Sequence, residues 1–229
     1  MNRNTQRPIA RAIAQDSRKY WLAAGVLAAG IIITAGTARA ESVFSTAAGP
    51  TTANARLDFQ IVIPRFLFLQ VGTGTALATN GTINVLTFTV PAASIGTGGA
   101  GIGSTGGDIN AGASVTAKVL GNNFTGGAVS FTATTTGALS DGAGDTISWS
   151  QFSVATAANT TGTVLAHPGT LAAPFTDGGA TSVSLTPVSK VINQDAKWTF
   201  TYANTVIPAA GTYGTSANGG RVTYAVTMP

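Results

Sequence analysis

Two acidic residues, Asp141 and Asp145, lie four positions apart in the stretch Asp141-Gly142-Ala143-Gly144-Asp145. Two carboxylates on one glycine turn can contribute to a calcium site. Calcium takes about six to eight oxygen ligands, however, and no other acidic residue is nearby in the sequence. The spacing predicts a turn between two strands, with calcium binding as the open alternative.

The single histidine, His167, stands in Ala166-His167-Pro168-Gly169, where proline and glycine indicate a loop. A Ser-His-Asp site would have to use it, but no G-x-S-x-G elbow accompanies it. Glu41 is the only glutamate, so the paired carboxylates of glycoside hydrolysis are poorly supplied. With neither cysteine nor a cluster of histidines, the sequence also offers almost no ligands for zinc and other transition metals. We predict a protein that is not an enzyme and that uses no cofactor and no metal.

Glycine is dense between residues 96 and 106, where 96–101 and 101–106 both match G-x-G-x-x-G. That spacing brings a backbone close to a pyrophosphate only where it opens a helix whose N-terminus receives the charge. Gly107 and Asp108 follow instead, and then the pattern of a strand begins. The run predicts a flexible loop and no nucleotide site.

The elements that position these residues have the pattern of strands. After residue 40, no segment keeps an apolar period of 3.6 residues over three turns, whereas short runs between turn signals alternate with a period of two. The predicted strands are 82–90, 114–120, 128–134, 146–154, 182–186, 197–202 and 221–228. Within 146–154 the alternation slips by one position near Ser150-Gln151, which predicts a β-bulge. The pattern predicts an all-β fold, an antiparallel immunoglobulin-like β-sandwich of about eight to ten strands.

The stretch from Leu57 to Val71, LDFQIVIPRFLFLQV, has the highest density of large apolar side chains after residue 40. Leu57, Phe59, Ile61 and Ile63 alternate with polar or smaller positions, as in a strand with one buried face. Burying each large side chain contributes roughly 1.5 to 3 kcal/mol. The pattern therefore predicts that this whole stretch lies in the core.

The first forty residues have the features of a secretory signal. Basic residues precede an uncharged run over 20–38, and Ala38-Arg39-Ala40 offers small residues at the positions that a signal peptidase recognises. No two arginines are adjacent, which argues against twin-arginine export. We predict a Sec-type signal peptide at 1–40, cleaved before Glu41, with an uncleaved anchor as the open alternative. After cleavage, no transmembrane span is expected.

The charge of the chain changes once the leader is removed. Residues 1–40 hold six of the twelve basic residues, so that 41–229 carries six basic against seven acidic residues, a net charge of −1. The sequence pI of about 9.8 therefore reflects the leader. Because phosphate binding depends on clustered Lys and Arg, nucleic acid is not an expected partner.

The mature chain is predicted to have a flexible N-terminal extension over 41–55 and a β-sandwich domain over 56–229. The extension is made of small polar residues around Val43 and Phe44, and the domain closes with an alternating strand in which Val222, Tyr224, Val226 and Met228 share one face. With the low charge and the abundance of Thr, Gly and Ala, these features resemble bacterial fimbrial subunits of the chaperone–usher type and their spore-coat-like relatives. The chain has no cysteine, whereas classical members often have a disulfide.

The resemblance implies an exported structural subunit of a pilus-like surface fibre that serves adhesion or biofilm formation. In such subunits the sandwich lacks one strand, which leaves an open groove. A periplasmic chaperone fills this groove first. At the outer-membrane usher, the N-terminal extension of the next subunit then replaces the chaperone. The groove would be bordered by Val222, Tyr224, Val226 and Met228. The donor would be Val43 and Phe44 with their neighbours or, as a second possibility, the alternating run from Leu57 to Ile63.

The competing hypothesis is a monomeric secreted β-sandwich that binds carbohydrate or another surface ligand. Trp149, Trp198 and Tyr202 are the aromatic residues that would stack on sugar rings. An exposed row of these rings would favour a binding module, whereas an apolar open edge beside the last strand would favour a fibre subunit. Either protein would pass through the periplasm and act at the cell surface or outside the cell.

Overall fold

The structure is a computed structural model that describes residues 41–99, 101–109, 112–122, 124–125, 127–160 and 162–228. The signal peptide predicted at 1–40 lies outside the described residues. The chain divides into two units, with the boundary between Val62 and Ile63.

In the first unit, residues 41–62 form no helix and no strand. The guanidinium group of Arg56 donates from Nε to Glu41 Oε2 over 2.7 Å and from Nη2 to Glu41 Oε1 over 3.1 Å. This hydrogen bond lowers the pKa of the Glu41 carboxyl. Both side chains are at the surface, so the pair contributes little to stability.

The second unit is built from strands, with two single turns of 3-10 helix at Ala92–Ser94 and Trp149–Gln151 among the described residues. The strands are β1 (Leu67–Val71), β2 (Leu86–Thr89), β3 (Gly103–Gly106), β4 (Ser114–Asn122), β5 (Val129–Thr135), β6 (Leu139–Ser140), β7 (Thr146–Ile147), β8 (Phe152–Ala157), β9 (Gly179–Leu185), β10 (Val191–Tyr202) and β11 (Thr223–Thr227). The prediction of an all-β fold is confirmed.

Every ladder between these strands is antiparallel, and the ladders form several sheets. The largest sheet has the order β1-β4-β10-β8, the second has the order β11-β5-β9, and the pairs β2-β3 and β6-β7 form two small sheets. The twelve-residue strand β10 pairs with β4 along its first part and with β8 along its second part. The first strand and the last strand of the chain therefore each stand at the edge of a sheet.

One apolar core receives side chains from both larger sheets. Trp198 of β10 and Phe131 of β5 are stacked with ring centroids 6.0 Å apart, and neither side chain is exposed. Along β5 the buried positions alternate with more exposed ones, as the sequence predicts. The alternation is physically required because successive side chains on a strand point to opposite faces.

The prediction that Leu57 to Ile63 forms a core strand is wrong. No strand includes these residues, and the side chains of Phe59 and Ile61 are 86% and 85% exposed. Only the end of the apolar stretch, from Leu67, forms a strand, and there Leu69 and Val71 pack against the core. The alternation shows that a segment has an apolar face, but it does not say which partner covers that face.

Two local predictions also need correction. The bulge predicted near Ser150-Gln151 is a turn of 3-10 helix that separates β7 from β8, and the Ser148 side chain caps this turn by accepting from the Ser150 N–H. Part of the glycine run predicted as a loop is β3, which pairs with β2. Gly106 ends β3 with φ of 90°, a backbone conformation that glycine adopts without strain.

Candidate functional site

The free edge of β1 is the first part of the candidate site. On one side β1 pairs with β4, and Gly72 N–H donates to Thr116 C=O at the end of that ladder over 2.7 Å. Because bonded and non-bonded pairs alternate in an antiparallel ladder, Leu67, Leu69 and Val71 direct their N–H and C=O groups away from β4. This edge carries the main-chain groups that an added strand would bond.

Beside β1 lies an open cavity of about 530 Å³. It is lined by Pro64, by Phe66–Leu69 and by Leu77–Asn80. The edge strand forms one wall, and the turn at Leu77–Asn80 forms the other. The cavity therefore leaves open space beside the first part of β1.

The free edge of β11 is the second part of the site. Among the described strands β11 pairs with β5 only, and the residues predicted to border a groove lie on β11 or directly beside its two ends: Val222, Tyr224, Val226 and Met228. All four are half-buried and pack against the core, while the residues between them are exposed. The chain thus has an edge strand whose inner face is apolar and only partly covered.

The two edges are close together. β1 and β11 approach within 8 Å between Cα atoms, and Arg65 Nε donates a hydrogen bond to Met228 Sδ just before β1 begins. The structure thus brings Leu67, Leu69 and Val71 together with the predicted residues of the last strand. These three residues were not predicted as site residues, although the all-apolar run at 66–69 indicates that both faces of this segment need cover.

The opposite edges of the two larger sheets are less suited to receive a strand. Val154 N–H of β8 donates to Leu171 C=O over 2.9 Å, so a loop already bonds that edge. β9 has the sequence GATSVSL, in which small and polar residues predominate. The apolar, unpaired edges are therefore those of β1 and β11.

Tyr224 anchors the last strand to a buried aromatic cluster. Its hydroxyl lies 3.0 Å from His167 Nε2, and His167 is only 2% exposed among the rings of Trp198, Phe175 and Phe200. Desolvation by burial lowers the pKa of His167 to about 4 and raises the pKa of the Tyr224 hydroxyl. The predicted loop histidine is thus a neutral core residue that positions β11.

Val43 and Phe44, the first predicted donor residues, lie in the first unit and are exposed, Phe44 by 91%. They are adjacent in sequence, so on an extended chain they point to opposite sides. Leu57, Phe59, Ile61 and Ile63 are also exposed, and their spacing places all four on one side. The run from Leu57 to Ile63 therefore has the longer exposed apolar face.

The acidic turn at Asp141 is closed by its own backbone. Asp141 Oδ1 accepts hydrogen bonds from the N–H groups of Ala143, Gly144 and Asp145 over 2.8 to 3.1 Å. These hydrogen bonds lower the pKa of the Asp141 carboxyl, and the bond from the Ala143 N–H has the largest effect. Within the described part of the chain, no three His, Cys, Asp or Glu residues are grouped to hold a metal.

We expect millimolar calcium to leave the melting temperature of the purified domain unchanged, because Asp141 already uses an oxygen to accept three backbone bonds. The measurement is a thermal melt with calcium and with the chelator EGTA. Magnesium at the same ionic strength is the control. A rise specific to calcium that Asp141→Asn removes would contradict this prediction.

The aromatic residues that a carbohydrate-binding module would expose are inside the domain. Trp149, Trp198 and Tyr202 are all buried, and both indole nitrogens donate to backbone carbonyls, of Gly137 and Leu165 respectively. None of the three rings is available to stack on a sugar.

None of the described residues belongs to a helix long and apolar enough to cross a membrane. No known protein family, curated protein or solved structure matches this chain.

Proposed function

We propose that the protein is a non-enzymatic structural subunit of a bacterial surface fibre, assembled by strand addition between copies. In this proposal the two larger sheets form an incomplete immunoglobulin-like β-sandwich. A Sec-type signal exports the chain, which passes through the periplasm to the cell surface, where the fibre serves adhesion or biofilm formation.

The observation that carries the proposal is that one chain has both unpaired strand edges that could accept a strand and an exposed apolar segment that could donate one. The edges of β1 and β11 present unpaired backbone and half-buried apolar side chains, while residues 57–63 present exposed apolar side chains at alternate positions. Strand addition uses these two features together, because main-chain hydrogen bonds hold the donor and alternate side chains fill pockets. Exposed apolar surface of this extent is otherwise an aggregation risk.

The donor that fits best is the run from Leu57 to Ile63. Four large side chains on one face would each contribute roughly 1.5 to 3 kcal/mol on burial, and part of this gain is lost to the ordering of the chain. Val43 and Phe44 offer only two neighbouring anchors on opposite sides. We therefore assign the donor to 57–63 and a spacer role to 41–55.

The exposed donor and the open edges also account for the expected assembly partners. A subunit with both features needs a protecting protein before assembly, and a periplasmic chaperone that lends a strand to the edge would supply it. An outer-membrane usher would then exchange the chaperone for the next subunit. Nucleic acid, metal and cofactors have no part in this proposal.

Truncation of the extension tests the proposal. We expect purified 41–229 and 56–229 to form fibres visible by electron microscopy, and 64–229 to form none, because only the last lacks the donor. Size-exclusion chromatography measures the fraction assembled. Stable monomers from all three chains would contradict the proposal and favour the binding module, which a glycan screen would then examine.

A pair of point variants controls for the truncation. Ile61→Asp places a charge on the apolar side of the donor and is expected to abolish assembly, because a buried unpaired charge costs several kcal/mol. Gln60→Asp adds the same charge on the opposite side and is expected to assemble normally. Equal assembly by both variants would exclude 57–63 as the donor.

A further inference from the structure

Asn122, the last residue of β4, makes three hydrogen bonds to the chain that enters β1. Its backbone N–H donates to Phe66 C=O over 3.2 Å, and its side-chain Oδ1 accepts from Phe66 N–H over 2.9 Å. Its Nδ2 donates to Pro64 C=O, also over 2.9 Å. The Asn122 side chain thus continues the hydrogen bonding between β4 and this chain to residues that precede β1.

These bonds hold residues 64–66 in line with β1. Leu67 is opposite Gly121 in the ladder, so Phe66 is opposite Asn122 and continues the same register. No turn is present at 64–66. The side-chain amide of Asn122 forms hydrogen bonds with Pro64 C=O and Phe66 N–H. Without it, these two backbone groups would need other partners, which a turn in this segment could supply.

A hairpin that returned the donor onto its own β1 would need a reverse turn in these same residues. Between Ile63 and Leu67 there are three residues, a length that is sufficient for a hairpin loop. Self-pairing would also be favoured by an effective concentration on the order of millimolar, far above that of a second copy in solution. Chain length alone therefore does not prevent a subunit from filling its own edge.

We infer that Asn122 is a positioning residue that keeps 64–66 extended and so reserves residues 57–63 of each subunit for a second copy of the chain. The composition of the segment acts in the same direction, because Pro64-Arg65-Phe66 lacks the glycine or asparagine that a three-residue hairpin loop places at positive φ. This inference rests on the proposed function, since it explains why a strand-adding subunit polymerises instead of closing on itself.

Crosslinking tests the inference. Because the chain has no native cysteine, only the introduced cysteines react with a maleimide. In a hairpin closed at 64–66, Ile61 would be opposite Leu69. The double variant Ile61→Cys, Leu69→Cys is therefore treated with a short bismaleimide in the mature chain, with and without Asn122→Ala. On a denaturing gel, a compact crosslinked monomer reports self-pairing, and covalent multimers report assembly.

We expect Asn122→Ala to raise the ratio of compact monomer to multimer at least tenfold. Asn193→Ala, at an exposed asparagine on the neighbouring strand β10, is the matched control and is expected to leave the ratio unchanged. Circular dichroism establishes that each variant is folded. An unchanged ratio in folded Asn122→Ala would overturn the inference.

A second variant leaves Asn122 intact. Two glycines inserted between Ile63 and Pro64 supply a two-residue turn outside the held residues. This turn would place Ile61 opposite Phe66, so the cysteine pair in this chain is Ile61→Cys, Phe66→Cys, and we expect the insertion also to raise the compact monomer. If the inserted chain yields multimers only, the inference is overturned. Different results contradict the two proposals. If the parent chain forms no multimers, the fibre proposal is wrong. If Asn122→Ala does not increase the compact monomer, the inference about Asn122 is wrong.

Discussion

Replacing Trp198 with alanine is expected to lower the free energy of unfolding by about 3 to 5 kcal/mol, the range for removal of a large aromatic side chain from a core. Trp198 has no exposed surface, and its ring contacts those of Phe131, His167 and Tyr224, with centroids 4.6 to 6.0 Å away. Since domains have a total stability of about 5 to 15 kcal/mol, the variant should be only marginally folded. Urea unfolding followed by far-UV circular dichroism measures the loss.

Two variants separate packing from hydrogen bonding at this position. Trp198→Phe keeps a ring but removes the bond from Nε1 to Leu165 C=O, 3.0 Å long and buried, so we expect a smaller loss. Ile207→Ala removes an apolar side chain that is 81% exposed and should change stability by less than about 0.5 kcal/mol. If Trp198→Ala is no more damaging than Ile207→Ala, the placement of the core is wrong.

Lowering the pH from 6.5 to 4 is expected to destabilise the domain by about 3 kcal/mol through His167. The pKa of His167 is about 4 in the folded protein, against about 6.5 when unfolded, because burial disfavours the charged ring. Between these values the unfolded chain binds the additional proton, so stability falls as pH falls, by up to about 1.4 kcal/mol per pH unit. Well above pH 6.5, where the histidine is neutral in both states, it adds no pH dependence.

The environment of His167 offers a proton little compensation, because burial lowers the pKa more than the backbone of Pro168 raises it. His167 Nδ1 is buried without a hydrogen-bond partner in the described structure, Nε2 faces the Tyr224 hydroxyl, and the other contacts are aromatic rings. Urea midpoints at half-unit pH intervals measure the effect. Because His167 is the only histidine, His167→Leu should flatten the profile between pH 4 and 6.5. A flat profile in the parent chain would contradict the prediction.

Much of the strand content could be predicted because it is encoded locally. The alternation of Trp198, Phe200 and Tyr202 correctly predicted the second half of β10, and the spacing of Val222, Tyr224, Val226 and Met228 correctly predicted a last strand with one apolar face. Glycine-rich β3 was missed because it has no side-chain pattern to detect, and its pairing with β2 decides its conformation.

The candidate site was only half predictable for a similar reason. The last strand was identified from its alternation, but β1 was assigned to the core together with the residues before it. The role inferred for Asn122 has no sequence signature, because a single asparagine at the end of a strand acquires its partners, Pro64 and Phe66, only when β4 pairs with β1.

By itself, the sequence determined the secondary structure class, because this class follows from residue types and short-range spacing. Only the tertiary structure decided which apolar faces are covered. Residues 57–63 and 129–135 have the same period of two, yet the first face is exposed and the second lies in the core. Periodicity is a property of one segment, whereas burial requires a second segment at a distance along the chain, and pairing between segments selects it.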